Sequence, residues 1–198
     1  MPRRGEVWIM PIRDPHYKIK ELETRELIYD AIPKGGVGAE LGACRGNNAV
    51  QLFFRTKPST MFLVDKWVKM DRDHEMTDLW YDDYSDSVAE IFAEEIEQGM
   101  VVLRKQHTTS FLGSLPDDCL DWVYLDSNHH YQNVSREIDL SLKKVKSGGY
   151  IMGHDYFPNP KIWGTSVIRA VNERIQNQDI AMKAITNEAW PTYLTEVL

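Results

Sequence analysis

One stretch near the start of the chain decides the fold: VGAELGACRGNNAV, residues 37–50. Its first five residues are a short apolar run of the kind that forms a buried strand, and residues 47–54 have the periodicity of a helix. Between them lies a turn that begins at Gly42 and ends at Gly46. Glycine in such a turn lets backbone amides approach a ligand closely, and the helix N-terminus behind it is electropositive. The stretch therefore predicts a strand, a ligand-binding turn and a helix.

Strand-like runs and helical patterns alternate along the rest of the chain. The other strand-like runs lie at 61–64, 100–103, 122–125 and 150–153, and the other helical patterns at 21–32, 83–98, 134–145 and 165–176. The runs at 180–186 and 193–197 suit a hairpin. Strands separated by helices need crossover connections. We therefore expect an α/β, Rossmann-like fold: a mostly parallel seven-stranded sheet with helices on both faces and an antiparallel C-terminal edge hairpin.

Composition bounds the class of protein. At 198 residues the chain is long enough for one full core, so we expect a single domain over 1–198, with an N-terminal extension at 1–20 and a candidate lid insertion at 66–83. A net charge of −7 disfavours nucleic-acid binding, because phosphate contacts need clustered Lys and Arg. Two cysteines are too few for a disulfide framework, and no apolar window is long enough for a membrane span. The expectation is a cytoplasmic protein with no nucleic-acid or membrane partner.

Acidic residues stand at the ends of the first two strands of the predicted sheet. The turn has the pattern acidic-x-Gly-x-x-x-Gly from Glu40 to Gly46, and the second strand ends at Asp65. A carboxylate at that place can accept hydrogen bonds from both hydroxyls of a ribose. The dinucleotide fingerprint fits less well, because Gly36 and Gly38 precede or begin the strand rather than follow it.

Polar residues also gather around the ends of the fourth and fifth predicted strands, where residues 117–131 are DDCLDWVYLDSNHHY and residues 146–156 are KSGGYIMGHDY. Asp126 and the pair His154-Asp155 follow successive strands, so their side chains can converge at one sheet edge. Two carboxylates and an imidazole suffice for a divalent-metal site. An imidazole ordinarily titrates near neutral pH, so His129 suits a general base, with His130 as its rival.

These motifs together resemble the class I S-adenosylmethionine (SAM)-dependent methyltransferases. The resemblance covers about residues 25–197 and is to the small-molecule branch that includes macrocin O-methyltransferase-like and cephalosporin-hydroxylase-like proteins. It implies SAM as the cofactor, with the turn holding its amino-acid part. The cofactor-binding residues that it implies are Glu40, Gly42, Ala43, Arg45, Gly46, Asn47, Asp65, Lys66, Thr108 and Asp126.

The resemblance further implies methyl transfer to a hydroxyl of a small metabolite. In that interpretation Asp126, His154 and Asp155 hold Mg²⁺ or another divalent metal, and His129 or His130 is the catalytic residue. Related metal-dependent enzymes carry an acidic or amide residue where His154 stands. Two alternatives stay open: a metal-dependent hydroxylase-like enzyme, since histidine and carboxylate can hold iron, and a catalytically inactive methyltransferase-fold binding module. Self-association as a homo-oligomer is also compatible with the sequence.

Overall fold

Strands and helices alternate through the residues that the computed structural model describes, 19–68, 84–157 and 166–198. The strands are β1 (Lys20–Leu22), β2 (Val37–Leu41), β3 (Thr60–Asp65), β4 (Val101–Lys105), β5 (Leu120–Leu125), β6 (Val145–Gly153), β7 (Ile180–Thr186) and β8 (Tyr193–Val197). The helices are α1 (Arg25–Ala31), α2 (Asn47–Thr56), α3 (Ser85–Ile91), α4 (Ala93–Glu97), α5 (Thr108–Ser114), α6 (Tyr131–Lys144) and α7 (Ser166–Gln176). Most of the predicted N-terminal extension and of the candidate lid lies outside the described residues.

The strands form one eight-stranded sheet in the order β1-β7-β8-β6-β5-β2-β3-β4. Only β8 runs antiparallel to its neighbours, β6 and β7, and the other pairs are parallel. The predicted α/β fold with its C-terminal hairpin is therefore confirmed. The sheet has one more strand than expected, because Lys20–Leu22 pairs in parallel with Ala184–Thr186 outside the hairpin.

Two predicted helices have different bounds in the structure. The helical pattern at 21–32 was expected to form one helix, but its first residues belong to β1 and α1 begins at Arg25. A three-residue strand is too short to show alternation, so its pairing with a segment far along the chain decides its conformation. The pattern at 83–98 forms two helices, because Phe92 leaves the helical dihedral region with φ −109° and ψ 26°.

The sheet is buried on both faces, as a doubly covered parallel sheet must be. Alternate residues of β5 serve opposite faces: Trp122 packs in the cluster that contains Tyr29 of α1, and Val123 in the cluster that contains Ile138 of α6. The chain order reverses between β2 and β5, since β3 and β4 lie on one side and β6 on the other. Ligands of such sheets bind at this reversal, beyond the carboxyl ends of the strands.

Within the described ranges, no helix has the length and apolar character needed to cross a membrane.

Candidate functional site

The glycine turn after β2 lies directly against the end of β5. Gly42 has φ +97° and Gly46 has φ +80°, a left-handed conformation that favours glycine. A Cβ on Gly42 would stand 2.1 Å from the carbonyl oxygen of Asp126, so no side chain fits there. The predicted cofactor turn and the predicted acceptor residues thus share one crevice.

Glu40, at the end of β2, is a buried carboxylate with one unused oxygen. Its side chain is 1% exposed, and Oε1 accepts a hydrogen bond from Asn48 Nδ2 at 2.8 Å. Tyr29 Oη in turn donates to Asn48 Oδ1 at 2.7 Å. Oε2 has no hydrogen-bond partner among the described residues. Burial raises the pKa of Glu40 to about 8, although the Asn48 hydrogen bond opposes the rise.

Asp65, at the end of β3, fastens the turn from the other side. Its carboxylate accepts hydrogen bonds from the backbone N–H of Cys44 at 3.0 Å and of Trp67 at 2.9 Å. The indole N–H of Trp67 donates to the Cys44 carbonyl at 2.7 Å. Each carboxylate oxygen keeps a lone pair for a further donor such as a ribose hydroxyl. Sequence reasoning missed Trp67, which nothing in the local pattern distinguishes from a core aromatic residue.

The other predicted cofactor residues differ in burial and in the side chains that they contact. Ala43 is buried, whereas Asn47, at the start of α2, and Lys66 are exposed. The guanidinium of Arg45 lies 4.6 Å from the ring centre of Tyr84 and donates to its hydroxyl at 2.6 Å. Thr108 begins α5, where the adenine contact was expected, and donates its hydroxyl to Glu137 at 2.5 Å.

Glu137 of α6 is a buried acid that sequence reasoning missed. The same carboxylate oxygen that accepts from Thr108 also accepts from Ser127 at 2.5 Å, so Glu137 ties together the segments after β4 and β5. Burial raises its pKa, and the two hydroxyl donors oppose that rise. Its position in the sequence resembles any polar residue of an amphipathic helix, so only the packing reveals its role.

Four side chains beyond β5 and β6 form the acceptor cluster, defined as Asp126, His129, His154 and Asp155. His129 Nε2 lies 2.6 Å from Asp155 Oδ2 and 3.3 Å from Asp126 Oδ1. His154 Nδ1 lies 3.5 Å and 3.8 Å from the same two oxygens. The structure thus brings together all the residues predicted for acceptor chemistry except His130.

His130 occupies a different place from His129. It is exposed at the N-cap position of α6, where its backbone N–H bonds to the side chain of Asn128 at 2.9 Å. Of the two predicted catalytic histidines, His129 is therefore the one inside the acceptor cluster.

The charges within the acceptor cluster stabilise one another. Burial by itself would lower the pKa of His129, but the hydrogen bonds with Asp126 and Asp155 raise it to about 9. Burial would raise the pKa of Asp155, but His129 and His154 hold it well below its ordinary value. His129 is therefore an imidazolium at neutral pH, set between two carboxylates.

Arg25, the first residue of α1, extends the acceptor cluster and was not predicted. Its Nη2 lies 2.7 Å from His154 Nε2, and its Nε donates to Glu188 at 3.2 Å. The sequence separation of 129 residues between Arg25 and His154 leaves no local signal of the contact.

The three predicted metal ligands lie close together, but their side chains also contact other residues of the site. One ligand atom each from Asp126, His154 and Asp155 lies within 4.8 Å of the others. His129 Nε2 nevertheless lies 3.3 Å from Asp126 Oδ1 and 2.6 Å from Asp155 Oδ2. The three residues have the spacing of a metal site, but in this arrangement their carboxylates contact His129 instead.

The cofactor side, in contrast, fits SAM. The unpartnered Glu40 Oε2 is a buried acceptor suited to an ammonium group, and the Gly42 turn leaves backbone exposed to a ligand. The strand order, this turn and Asp65 define the class I methyltransferase architecture. A family model described as a methyltransferase domain matches residues 39–156, more than half of the chain. The chain belongs to this methyltransferase family.

Solved structures with the same fold include methyltransferases that differ in substrate. A Clostridium thermocellum protein assigned as an rRNA methylase matches with TM-score 0.62 and 13% identity, over 91% of this chain and all of its own. The Streptococcus mutans protein SMU.1697c, in complex with S-adenosylhomocysteine (SAH), matches with TM-score 0.61 and 14% identity over the same shares. A Klebsiella pneumoniae protein assigned as an O-methyltransferase matches with TM-score 0.56 and 15% identity, over 81% of this chain and 72% of its own. No curated protein matches the chain significantly. At these identities the structural matches establish the fold alone.

Proposed function

We propose that the protein is a SAM-dependent O-methyltransferase that acts on a hydroxyl group of a small-molecule acceptor. The observation that carries the proposal is the contact between the two sides of the crevice. The Gly42 turn touches the backbone of Asp126, whose side chain belongs to the acceptor cluster. A hydroxyl bound at the acceptor cluster would therefore lie beside the cofactor turn.

Two residues on the cofactor side would bind different parts of SAM. Glu40 Oε2 would accept a hydrogen bond from the ammonium group of its amino-acid part, and Asp65 would accept from the ribose hydroxyls. SAM supplies a methyl group on a positively charged sulfur, which makes that methyl group electrophilic. The protein supplies the alignment of the acceptor oxygen with it.

His129 is the residue that we assign as the proton acceptor for the attacking hydroxyl. An imidazole in hydrogen-bond reach of the acceptor can take that proton, and Asp126 and Asp155 stabilise the imidazolium that results. Because the pKa of His129 is about 9, only a small fraction is unprotonated at pH 7. The rate of methyl transfer should therefore rise about tenfold per pH unit and level off above about pH 9.

Two features support a small acceptor with a ring. Phe157 and Trp190 form an edge-to-face pair with ring centres 4.6 Å apart, and the backbone N–H of Phe157 donates to the Asp155 carbonyl at 2.8 Å. Because Phe157 follows Asp155 by two residues, this pair is our candidate for contact with the ring of a phenol or a sugar. The net charge of −7 disfavours an RNA substrate.

The test is transfer of an isotope-labelled methyl group from SAM. The protein is incubated with SAM and, in separate reactions, with phenols, catechols, sugars and unmodified RNA, at pH 7 and pH 9. We expect label in a small molecule, with faster transfer at pH 9. Label in RNA would overturn the acceptor class, and SAM binding without transfer to any acceptor would favour the inactive binding module.

A matched pair of variants separates the two histidines. His129→Gln should retain SAH binding and lose at least about 100-fold in transfer rate, because general-base catalysis contributes about that much. His130→Gln, at an exposed neighbouring position, should change the rate little. Equal losses in both variants, or a loss only in His130→Gln, would contradict the assignment.

A further inference from the structure

The contact between Arg25 and His154 decides which nitrogen of the imidazole carries the proton. Arg25 Nη2 lies 2.7 Å from His154 Nε2, and both side chains are mostly buried, with exposures of 24% and 15%. A guanidinium has only donors, so Nε2 must accept through its lone pair. Neutral His154 therefore carries its proton on Nδ1.

Nδ1 is the nitrogen that faces the two carboxylates of the acceptor cluster. It lies 3.5 Å from Asp155 Oδ2 and 3.8 Å from Asp126 Oδ1. A protonated Nδ1 has no lone pair to offer a metal. If a cation bound Nδ1, the proton would have to sit on Nε2, where it would meet an N–H of Arg25 at 2.7 Å. Docking of Arg25 and ligation of a metal by Nδ1 are therefore mutually exclusive.

The segment between β7 and β8 holds Arg25 in this position. Glu188 Oε1 accepts from Arg25 Nε at 3.2 Å, and Glu188 Oε2 accepts from the hydroxyl of Thr186 at 2.9 Å. The backbone N–H of Thr192 donates to the same hydroxyl at 2.9 Å. This chain of hydrogen bonds fixes the guanidinium independently of His154, so the imidazole adapts to the arginine.

We propose that Arg25 is a positioning residue that fixes His154 as an Nδ1–H donor and thereby makes the acceptor cluster independent of divalent cations. His129 Nε2 then contacts both Asp126 and Asp155, and the Nδ1–H of His154 faces the same two carboxylates from 3.5 Å and 3.8 Å, where a metal ion would otherwise lie. That methyl transfer needs no divalent cation is a consequence that rests on the proposed function. The tautomer of His154 and the metal affinity of the cluster do not depend on it.

The first test reads the tautomer directly by long-range ¹⁵N–¹H NMR of histidine-labelled protein. We expect the Nδ1–H form of His154 in the wild type and in Arg25→Lys, which keeps a donor. Arg25→Leu, which removes the donor, should shift His154 toward the Nε2–H form. The Nε2–H form in the wild type would overturn the proposal, as would an unchanged tautomer in folded Arg25→Leu. If Arg25→Leu does not fold, Glu188→Gln loosens the arginine instead and should shift the tautomer in the same direction.

The second test measures Mn²⁺ affinity by electron paramagnetic resonance, without any substrate. We expect Arg25→Leu to bind Mn²⁺ at least about tenfold more tightly than the wild type or Arg25→Lys, as changes behind a candidate ligand typically alter affinity by that amount. Asp155→Asn in the Arg25→Leu background should remove the gain. Equal Mn²⁺ binding by the wild type and Arg25→Leu would overturn the proposal. Loss of tautomer control together with normal methyl transfer would leave the proposed function intact, so the two failures are distinguishable.

Discussion

The crevice has a cofactor side, which contains Glu40, and an acceptor side, which contains Asp126 and Asp155. Both sides have acidic side chains, but those on the acceptor side have partners and Glu40 keeps one oxygen without a partner in the described part of the chain. On the cofactor side, Glu40 is buried with Oε2 unpartnered among the described residues. On the acceptor side, Asp126 and Asp155 each contact histidine nitrogens, and Arg25 contacts His154 in turn. A buried acceptor without a donor costs stability, whereas paired charges offset the cost of burying each other.

This difference indicates what each side receives from outside. Among the described residues Glu40 Oε2 has no donor, and the ammonium group of SAM would supply one. The acceptor side already contains its own cations, the His129 imidazolium and the Arg25 guanidinium. We infer that cofactor binding supplies the donor that Glu40 Oε2 has not found among the described residues, and that the acceptor side is organised before any ligand arrives.

The largest expected effect comes from separating the two sides with Gly42→Ala. The added Cβ would stand 2.1 Å from the Asp126 carbonyl oxygen, and φ +97° strains any side chain. We expect a loss of about 3–5 kcal/mol, roughly 10 °C in melting temperature, and no measurable SAH binding. Gly99→Ala is the matched control, because it has φ +73° with nothing within 4 Å. It should cost only about 1–2 kcal/mol and leave SAH binding unchanged. Equal effects would mean that strain, and not the contact, matters.

The second largest effect is expected at Glu40, where we propose that the ammonium group of the cofactor binds. Glu40→Gln should weaken SAH binding by about 10- to 100-fold, since a charged hydrogen bond contributes about 1.5–3 kcal/mol. With a pKa of about 8, Glu40 is mostly protonated at pH 7, so binding of an ammonium group should release close to one proton. Calorimetry in buffers of different ionisation enthalpy measures that release, which should vanish in Glu40→Gln. Proton release that persists in the variant would assign it to another group.

A smaller effect is expected in the pH dependence of the free energy of unfolding, to which one group on each side contributes. The pKa of His129 rises from 6.5 to about 9 on folding, so its contribution to stability is complete below pH 6.5 and is lost as the pH rises through 9. The pKa of Glu40 rises from 4.5 to about 8, so stability also falls between those values. Each slope is at most about 1.4 kcal/mol per pH unit.

Denaturant unfolding from pH 5 to pH 10 measures both slopes. His129→Gln should flatten the fall between pH 6.5 and 9, and Glu40→Gln the fall between pH 4.5 and 8. A wild-type stability that increases over this interval would contradict both assignments.

The smallest effect is expected for Arg45, which was predicted to bind the cofactor. Its guanidinium lies over the ring of Tyr84 and bonds to that hydroxyl. Arg45→Lys should lose part of this contact, about 0.5–1 kcal/mol of stability, and change the dissociation constant of SAH by less than about threefold. A larger loss of SAH affinity in a thermal-shift titration would show that the side chain serves the cofactor directly.

The predictable part of the site follows from the geometry of parallel strands. Asp65 ends β3, Asp126 and Asp155 stand just beyond β5 and β6, and the carboxyl ends of parallel strands meet at one edge. Their convergence is therefore predictable from the sequence alone. The strand β1 is not, because three residues carry too little pattern and the pairing with β7 is non-local.

The sequence by itself determined the α/β fold, the glycine turn and the set of polar residues beyond β5 and β6, because strand and helix periodicities and strand-end positions are local properties. The tertiary structure alone decided the state of those residues. Asp126 and Asp155 keep His129 protonated. The contact of His154 with Arg25 joins two residues that lie 129 positions apart in the chain. A proton's position depends on which donors and acceptors reach each nitrogen in space, and those neighbours come from segments that only folding brings together.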